Sequence, residues 1–421
     1  MRKYIAISSN RQRTLRSIVI SEGAFMTNYA LINKEVIPFI CDRKRVSTDY
    51  LVVKTGCKLE RIRKWLDVKD PALPTINQAK KIAKALNIPF AGLYMNKDDI
   101  KISSIPKITN FRSLNGDVQI DDSSLNIAIC GILNERDYVL SAIQEFEMQL
   151  PTLSLPTCDG AVESFARSIR EHFELDISRQ FKCTSARQFY LLLRKHVEDK
   201  GIFVQCFVGV PVETARAFAI YKDHMPIIGL NDLDRSPAKS FSLIHELVHL
   251  INRESSLCND MYNSMEVHKE EIFCNAVAGE VLVPKYELNN LLKHESDSNI
   301  DLYMIRWLAD KFSVSREVII RRLLDLNHIT KAEYSAFSET FVSELESNRE
   351  EQKTLREMGL SKGIPRNISR EAIDRFSTTT CYALLYGYAE NFYSKRDIAL
   401  HLGIAQKHVD SFLKEVSGWS S

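Results

Sequence analysis

Phe241-Ser242-Leu243-Ile244-His245-Glu246-Leu247-Val248-His249-Leu250-Ile251 is the stretch on which the reading of the whole chain turns. Positions four apart on a helix stand one turn above each other, so His245 and His249 present their imidazoles to one point in space. That is a metal-ligand spacing. Phe241, Leu243, Ile244, Leu247, Val248, Leu250 and Ile251 are apolar on nearly every side, which predicts a buried helix rather than a solvated one. Two histidines and a glutamate in such a setting need partners, because each unpaired buried polar group costs roughly 1–3 kcal/mol. A metal ion supplies one. An accidental HExxH turns up in a chain of this length with a probability of about one in a hundred, and mostly on polar or irregular segments.

A tetrahedral catalytic zinc also needs a third protein ligand and an open fourth position for water. Downstream, Glu270 to Pro284 form a second helical pattern that stops at the proline, with Glu271, Asn275 and Ala278 on one face. A carboxylate there completes the site, and the small Ala278 and Gly279 let the two helices approach closely. The pair of motifs, HELVHL followed by Glu271, Asn275, Ala278 and a terminal Leu282-Val283-Pro284, resembles the ImmA/IrrE family of metallo-endopeptidases. The resemblance implies that His245, His249 and Glu271 bind zinc, with manganese the second candidate ion, and that Glu246 is the general base. That family usually has Ala where Cys274 stands and Phe where Val277 stands, and neither departure touches an implied ligand.

At 421 residues, 45% hydrophobic and 26% charged, the chain is long enough for two or three globular domains. It contains no apolar run of about 18 residues, so no membrane span is expected, and its N-terminus lacks the apolar core of a secretory signal. Nine scattered cysteines without a CxxC pair fit a reducing cytoplasm better than a disulfide framework. Cys274, near the site, reads as helix packing rather than a ligand. The net charge of +2 hides an asymmetry: residues 1–25 carry +4 and residues 26–95 carry +7, leaving −9 for the remainder. A basic front on an acidic body points to an anionic partner for the front, nucleic acid first.

Residues 1–25 read as a basic tail, with translation from Met26 as the alternative. From Val36 the spacing is that of a five-helix unit. A helix from about Val36 to Arg45 precedes Ser47 as N-cap, and a short helix with Tyr50, Leu51 and Val53 ends at Gly56. The helix Lys58 to Leu66 then turns Leu59, Ile62 and Leu66 inward and Lys58, Arg61, Arg63 and Lys64 outward, as a recognition helix in a major groove requires. Pro74-Thr75 opens a fourth helix, and Ile88 to Tyr94 closes the unit. The whole resembles the Cro/repressor type of helix-turn-helix, which implies DNA as partner and a homodimer. The competing reading is a small bundle with merely solvated lysines.

Residues 97–124 read as a linker, in which Ile105-Pro106 and Asn110-Phe111-Arg112 resemble the short motif that precedes the peptidase part in family members. Helical patterns follow at Leu125–Gln149, Ala161–Phe173 and Ala186–Lys200, then strand patterns at Ile202–Val208, Arg216–Tyr221 and Pro226–Leu230. Beyond Pro284 the sequence is helical. Trp307 to Leu323 show a second helix-turn-helix-like spacing expected to pack rather than to read DNA. Residues 339–370 are charged and read as partly flexible, and a compact helical turn recurs around Leu402-Gly403-Ile404. The expected fold is mainly α with a small β-sheet (α+β): a helix-turn-helix domain at 26–96, a zincin-like catalytic domain at 125–300 and a C-terminal helical region at 301–421.

The expected function is a cytoplasmic zinc endopeptidase that cuts a transcriptional repressor or similar regulatory protein. The alternative is a regulator whose metal is structural or sensory, without turnover. His224 and His268 are candidates for stabilising an oxyanion, although a lone histidine is more often structural.

Overall fold

The computed structural model describes residues 28–102, 105, 109–110, 122–149, 151–157, 160–253, 256–258, 267–294, 300–358 and 366–420. The basic tail, and Pro106, Phe111 and Arg112 of the linker motif, lie outside the described residues. The chain divides into two compact units, residues up to 40 with 51–100, and residues 41–50 with 101–421.

The N-terminal part is helical: α1 (Val36–Arg43), α2 (Thr48–Thr55), α3 (Leu59–Leu66), α4 (Ile76–Ala85) and a 3₁₀ turn at Phe90–Tyr94. Ser47 Oγ accepts the Tyr50 N–H at 3.0 Å and so caps α2. Gly56, at φ +67°, makes the left-handed turn into α3. Thr75 and Gln78 close a capping box on α4. Ile62 and Trp65 are the buried residues of α3, so Trp65 takes the inward place that the spacing assigns to Leu59 and Leu66. The Lys34 ammonium donates to the carbonyls of Lys64 at 3.1 Å and Asp67 at 2.7 Å, and to that of Asp70, complementing the negative end of α3.

The larger unit is built on a five-stranded sheet of order β1-β5-β3-β4-β2. Its strands are β1 (Thr109–Asn110), β2 (Phe203–Phe207), β3 (Ala217–Ile220), β4 (Ile227–Asn231) and β5 (Ser256–Cys258). β3 runs antiparallel to both β4 and β5, while β2 joins β4 and β1 joins β5 in parallel. The strand patterns anticipate β2, β3 and β4; β1 and β5 are too short to carry a periodicity. Alternation sorts side chains onto two faces. Val204, Cys206, Ala217, Ala219, Ile228 and Leu230 join one core, and Phe203, Phe207, Phe218, Ile220 and Ile227 join the other. That second face is covered by α5 (Ser123–Glu145) through Leu125, Ile129, Leu133, Val139 and Ile143. Gly229, opposite Phe218, leaves room for its ring; a Cβ there would meet Phe218 Cε1 at 2.4 Å.

The first face joins a core shared with the helices that build and surround the site. They are α6 (Val162–His172), α7 (Ile177–Lys182), α8 (Ala186–Glu198), α9 (Ser236–Ile251), α10 (Val267–Leu282), α11 (Lys285–His294), α12 (Leu302–Phe312) and α13 (Arg316–Asp325). A 27-residue helix, α14 (Lys331–Glu357), follows. Residues 339–357 of the charged run are thus helical. Their Glu, Lys, Arg, Gln and Leu are strong helix formers whether or not they are buried, and a Thr330–Glu333 capping box starts the helix. The chain ends in α15 (Ile368–Arg375), α16 (Thr378–Ala389), α17 (Lys395–Leu402) and α18 (Val409–Ser417), with Gly403 left-handed at φ +66° between the last two. These four helices share a core around Ile373, Leu384, Ile398 and Phe412. Arg194 of α8 reaches them, donating to the carbonyl oxygens of Asp374 at 2.9 Å and Ile373 at 3.1 Å. No helix among the described residues is long and apolar enough to cross a membrane.

Candidate metal centre

Helix α9 starts with Pro237 in its first turn, where a missing N–H costs nothing. It lies against β3 and β4 through Leu243, Ile244, Leu247, Val248 and Leu250, all without exposed surface. His245, Glu246 and His249 are buried to the same extent, so the apolar packing carries all three into the interior. The two imidazole rings lie 5.0 Å apart, centre to centre, at 63°.

Helix α10 faces α9 through Cys274, Val277, Ala278 and Val281. Its last carbonyls are satisfied from three other helices. Arg170 of α6 donates to Val281 O, Gln180 of α7 to Leu282 O at 2.9 Å, and Arg322 of α13 to Val283 O at 3.2 Å. Gln180 also donates to Phe312 O at 2.9 Å, tying in the end of α12. Arg322 is itself paired with Glu280. Gly279 makes room for that arginine, whose Cδ would lie 3.0 Å from an added Cβ. The small residues thus serve two neighbours: Ala278 meets the α9 side, while Gly279 admits α13.

The packed helices bring the Glu271 carboxylate to the histidine pair. His245 Nε2 lies 3.2 Å from one Glu271 oxygen, His249 Nε2 lies 3.3 Å from the other, and the two Nε2 atoms are 3.3 Å apart. Bonds of about 2.0 Å to a tetrahedral zinc put neighbouring ligand atoms about 3.3 Å apart. Two imidazole nitrogens and a carboxylate at that spacing form a donor set that fits zinc. Among the described residues, this is the cluster of three His, Cys, Asp or Glu side chains arranged to hold an ion. Burial pushes the Glu271 carboxyl up, but hydrogen bonds from His245 and His249 and their charges outweigh it and hold it at about 2. The acid is therefore the ionised, ligand-ready form.

Two neighbours of the histidines are not among the candidates that the sequence singles out. His245 Nδ1 is 3.0 Å from Asn275 Oδ1. Glu270 Oε1 is 3.7 Å from His249 Nδ1, where Cys274 Sγ also lies, at 3.9 Å. The signal for the first is present, since Asn275 stands one turn beyond Glu271 on the same helical face. Burial raises the Cys274 thiol, against the pull of His249, so it packs as a thiol.

Other candidates fall elsewhere. His224 is exposed on the turn between β3 and β4, where its carbonyl accepts from Arg136 at 2.6 Å. No described bond joins its ring to the histidine pair. His268 lies in the first turn of α10, and its side chain is outside the described residues. Lys58, Arg61, Arg63 and Lys64 are all exposed, at and along α3.

A mainly helical α+β domain with a five-stranded sheet and a buried His-Glu-x-x-His helix facing a carboxylate on the next helix has the features of a metallopeptidase-like domain. Residues 207–324, from the end of β2 into α13, match the Peptidase_M78 family, the IrrE N-terminal-like domain, which supports the ImmA/IrrE assignment for this part of the chain. No curated protein and no solved structure matches.

Proposed function

We propose that this chain is a zinc-dependent endopeptidase that cuts a transcriptional repressor or similar regulatory protein in the cytoplasm, and that its N-terminal helices bind operator DNA as a homodimer. The observation that carries the peptidase reading is the meeting of His245, His249 and Glu271 at tetrahedral spacing beside Glu246, within a segment that matches a peptidase family. Exposure of Lys58 at the N-cap of one short helix, and of Arg61, Arg63 and Lys64 along it, supports the DNA-binding part.

His245, His249 and Glu271 would hold the ion, which when bound would supply a water of near-neutral pKa and a Lewis acid for a peptide carbonyl. Glu246, adjacent in sequence to His245 and about 100° around the helix from it, takes the proton from the attacking water. It then delivers that proton to the departing amine, so one carboxylate serves as base and then as acid.

The deciding experiment incubates the protein with repressors encoded by neighbouring genes, with and without chelator, beside Glu246→Gln. Cleavage that chelator and Glu246→Gln both abolish is expected. Tight metal binding with no repressor cut would replace this reading with a regulator whose metal is structural or sensory.

A further inference from the structure

The turn between α2 and α3 recurs at the far end of the chain. Ser47 caps α2, Gly56 stands nine positions on at φ +67°, and the buried Ile62 and Trp65 of α3 follow six and nine positions after it. Ser394 caps α17, Gly403 stands nine positions on at φ +66°, and the buried Val409 and Phe412 of α18 follow at the same six and nine. Residues Gly403 to Ala405 and a 3₁₀ turn at Gln406–His408 join α17 to α18. A short Gly-containing turn between two helices is the construction of a helix-turn-helix. Ile398, Ala399 and Leu402 of α17 and Val409, Phe412, Leu413 and Val416 of α18 supply the shared core.

The spacing also occurs between α12 and α13, where packing absorbs it. Ser313, at φ +57°, is followed by the buried Ile319 and Arg322. Arg322 is bonded to Val283 O and Glu280, and α14 covers the outer side of α13. There Glu317 accepts from Tyr334 at 2.6 Å and from Ser338 at 3.2 Å, and Arg316 donates to Glu344 at 2.6 Å. The corresponding side of α18 is open. Lys407, Asp410, Ser411 and Lys414 are exposed at helical intervals, with Gln406 just before them. Asp410 and Glu415 are paired, with Lys395 at 2.6 Å and Arg370 at 3.6 Å, so Lys407 and Lys414 set the charge of that face.

We propose that α17 and α18 form a second DNA-reading helix-turn-helix, with α18 lying in the major groove of a duplex. A helix with its side chains is about 10–12 Å across, which matches a groove about 12 Å wide. Gln406 and Ser411 offer donors and acceptors to base edges. Lys407 and Lys414, with the exposed Arg396 in the first turn of α17, meet phosphates. The pair lies outside the matched peptidase segment and outside residues 26–95, so it stands apart from both the metal centre and α3.

Lysine-acetylation footprinting of the full chain, with and without saturating random-sequence duplex at low salt, tests this. Duplex should slow the labelling of Lys407 and Lys414 in proportion to the fraction bound. Protection of Lys58 and Lys64 alone overturns the proposal and leaves the N-terminal reading intact; protection of Lys407 and Lys414 alone does the reverse. Protection at neither end overturns both. Protection of Lys407 and Lys414 by a neighbouring-gene repressor, but not by duplex, overturns it in favour of a protein partner. Replacing Lys407 and Lys414 by Gln in the full chain should flatten the slope of log affinity against log salt by about 0.9 for each phosphate no longer neutralised, at an unchanged urea midpoint. An unchanged slope overturns the proposal.

Discussion

Helices α9 and α3 each carry polar side chains at helical intervals, and the two treat them in opposite ways. In α9, His245, Glu246 and His249 have no exposed surface. Around α3, Lys58, Arg61, Arg63 and Lys64 are exposed, and Ile62 and Trp65 alone are buried. A polar group that is sealed in must meet a matching partner or destabilise the fold, so its neighbours are dictated: a carboxylate, an amide, an ion. An exposed charge has water as its partner and leaves its biological partner open. The contrast explains why two histidines and a spacing lead to a specific donor set, while four cations lead only to a class of ligand.

The largest effect expected lies in the sealed helix. Glu246→Gln should lower cleavage about 10²- to 10⁴-fold, the usual share of a general base, while zinc stoichiometry, read by elemental analysis, stays at the wild-type value. Cleavage at the wild-type rate would remove Glu246 from the reaction and leave the buried carboxylate unexplained.

Next comes the ion. A ligand that binds only the folded state stabilises it by RT ln(1 + [L]/Kd), about 4 kcal/mol at a thousandfold excess over Kd. Chelation should therefore lower the unfolding free energy read from urea titration by that order, and Glu271→Ala should make it insensitive to zinc. A midpoint that ignores zinc in the wild type would make α9 an ordinary buried helix and dissolve the contrast with α3.

A smaller effect is expected where α10 is anchored. Gln180→Leu strips the donor from the carbonyls of Leu282 and Phe312, at roughly 1–3 kcal/mol for each acceptor left unsatisfied. Equilibrium unfolding measures it. The change should also weaken zinc binding, since the same helix holds Glu271 in register. Full stability would show that α10 is held by its apolar face alone.

How much of this the sequence discloses follows the same division. The apolar run around His245 announces a buried helix, and the carboxylate one helix later is readable because Glu271 shares a face with Asn275 and Ala278. Alternating β-branched and aromatic residues locate β2, β3 and β4 within a residue or so. What stays hidden depends on neighbours distant in sequence. Nothing local says that Gln180 will reach Leu282 O, or that Arg322 will fill the space beside Gly279. Strands β1 and β5, of two and three residues, depend on distant partners: β5 pairs with the edge of β3, and β1 in turn with β5. The helix over the charged run in α14 is not announced by an apolar stripe, since exposed Glu, Lys and Gln favour helix without burial.

The smallest effect on the fold, and the sharpest test of the other half of the comparison, belongs to α3. Replacing Lys58, Arg61, Arg63 and Lys64 together by Gln should change stability by no more than about 0.5 kcal/mol per site, as surface substitutions do, because water already solvates these side chains. If they meet phosphates, the slope of log affinity against log salt should flatten by about 0.9 for each phosphate no longer neutralised. Binding to duplex DNA, followed by fluorescence anisotropy across a salt series, separates the two quantities. A flattened slope at unchanged stability assigns these cations to nucleic acid. An unchanged slope leaves them as a solvated face, in which case the positive charge of residues 26–95 must serve a different anionic partner.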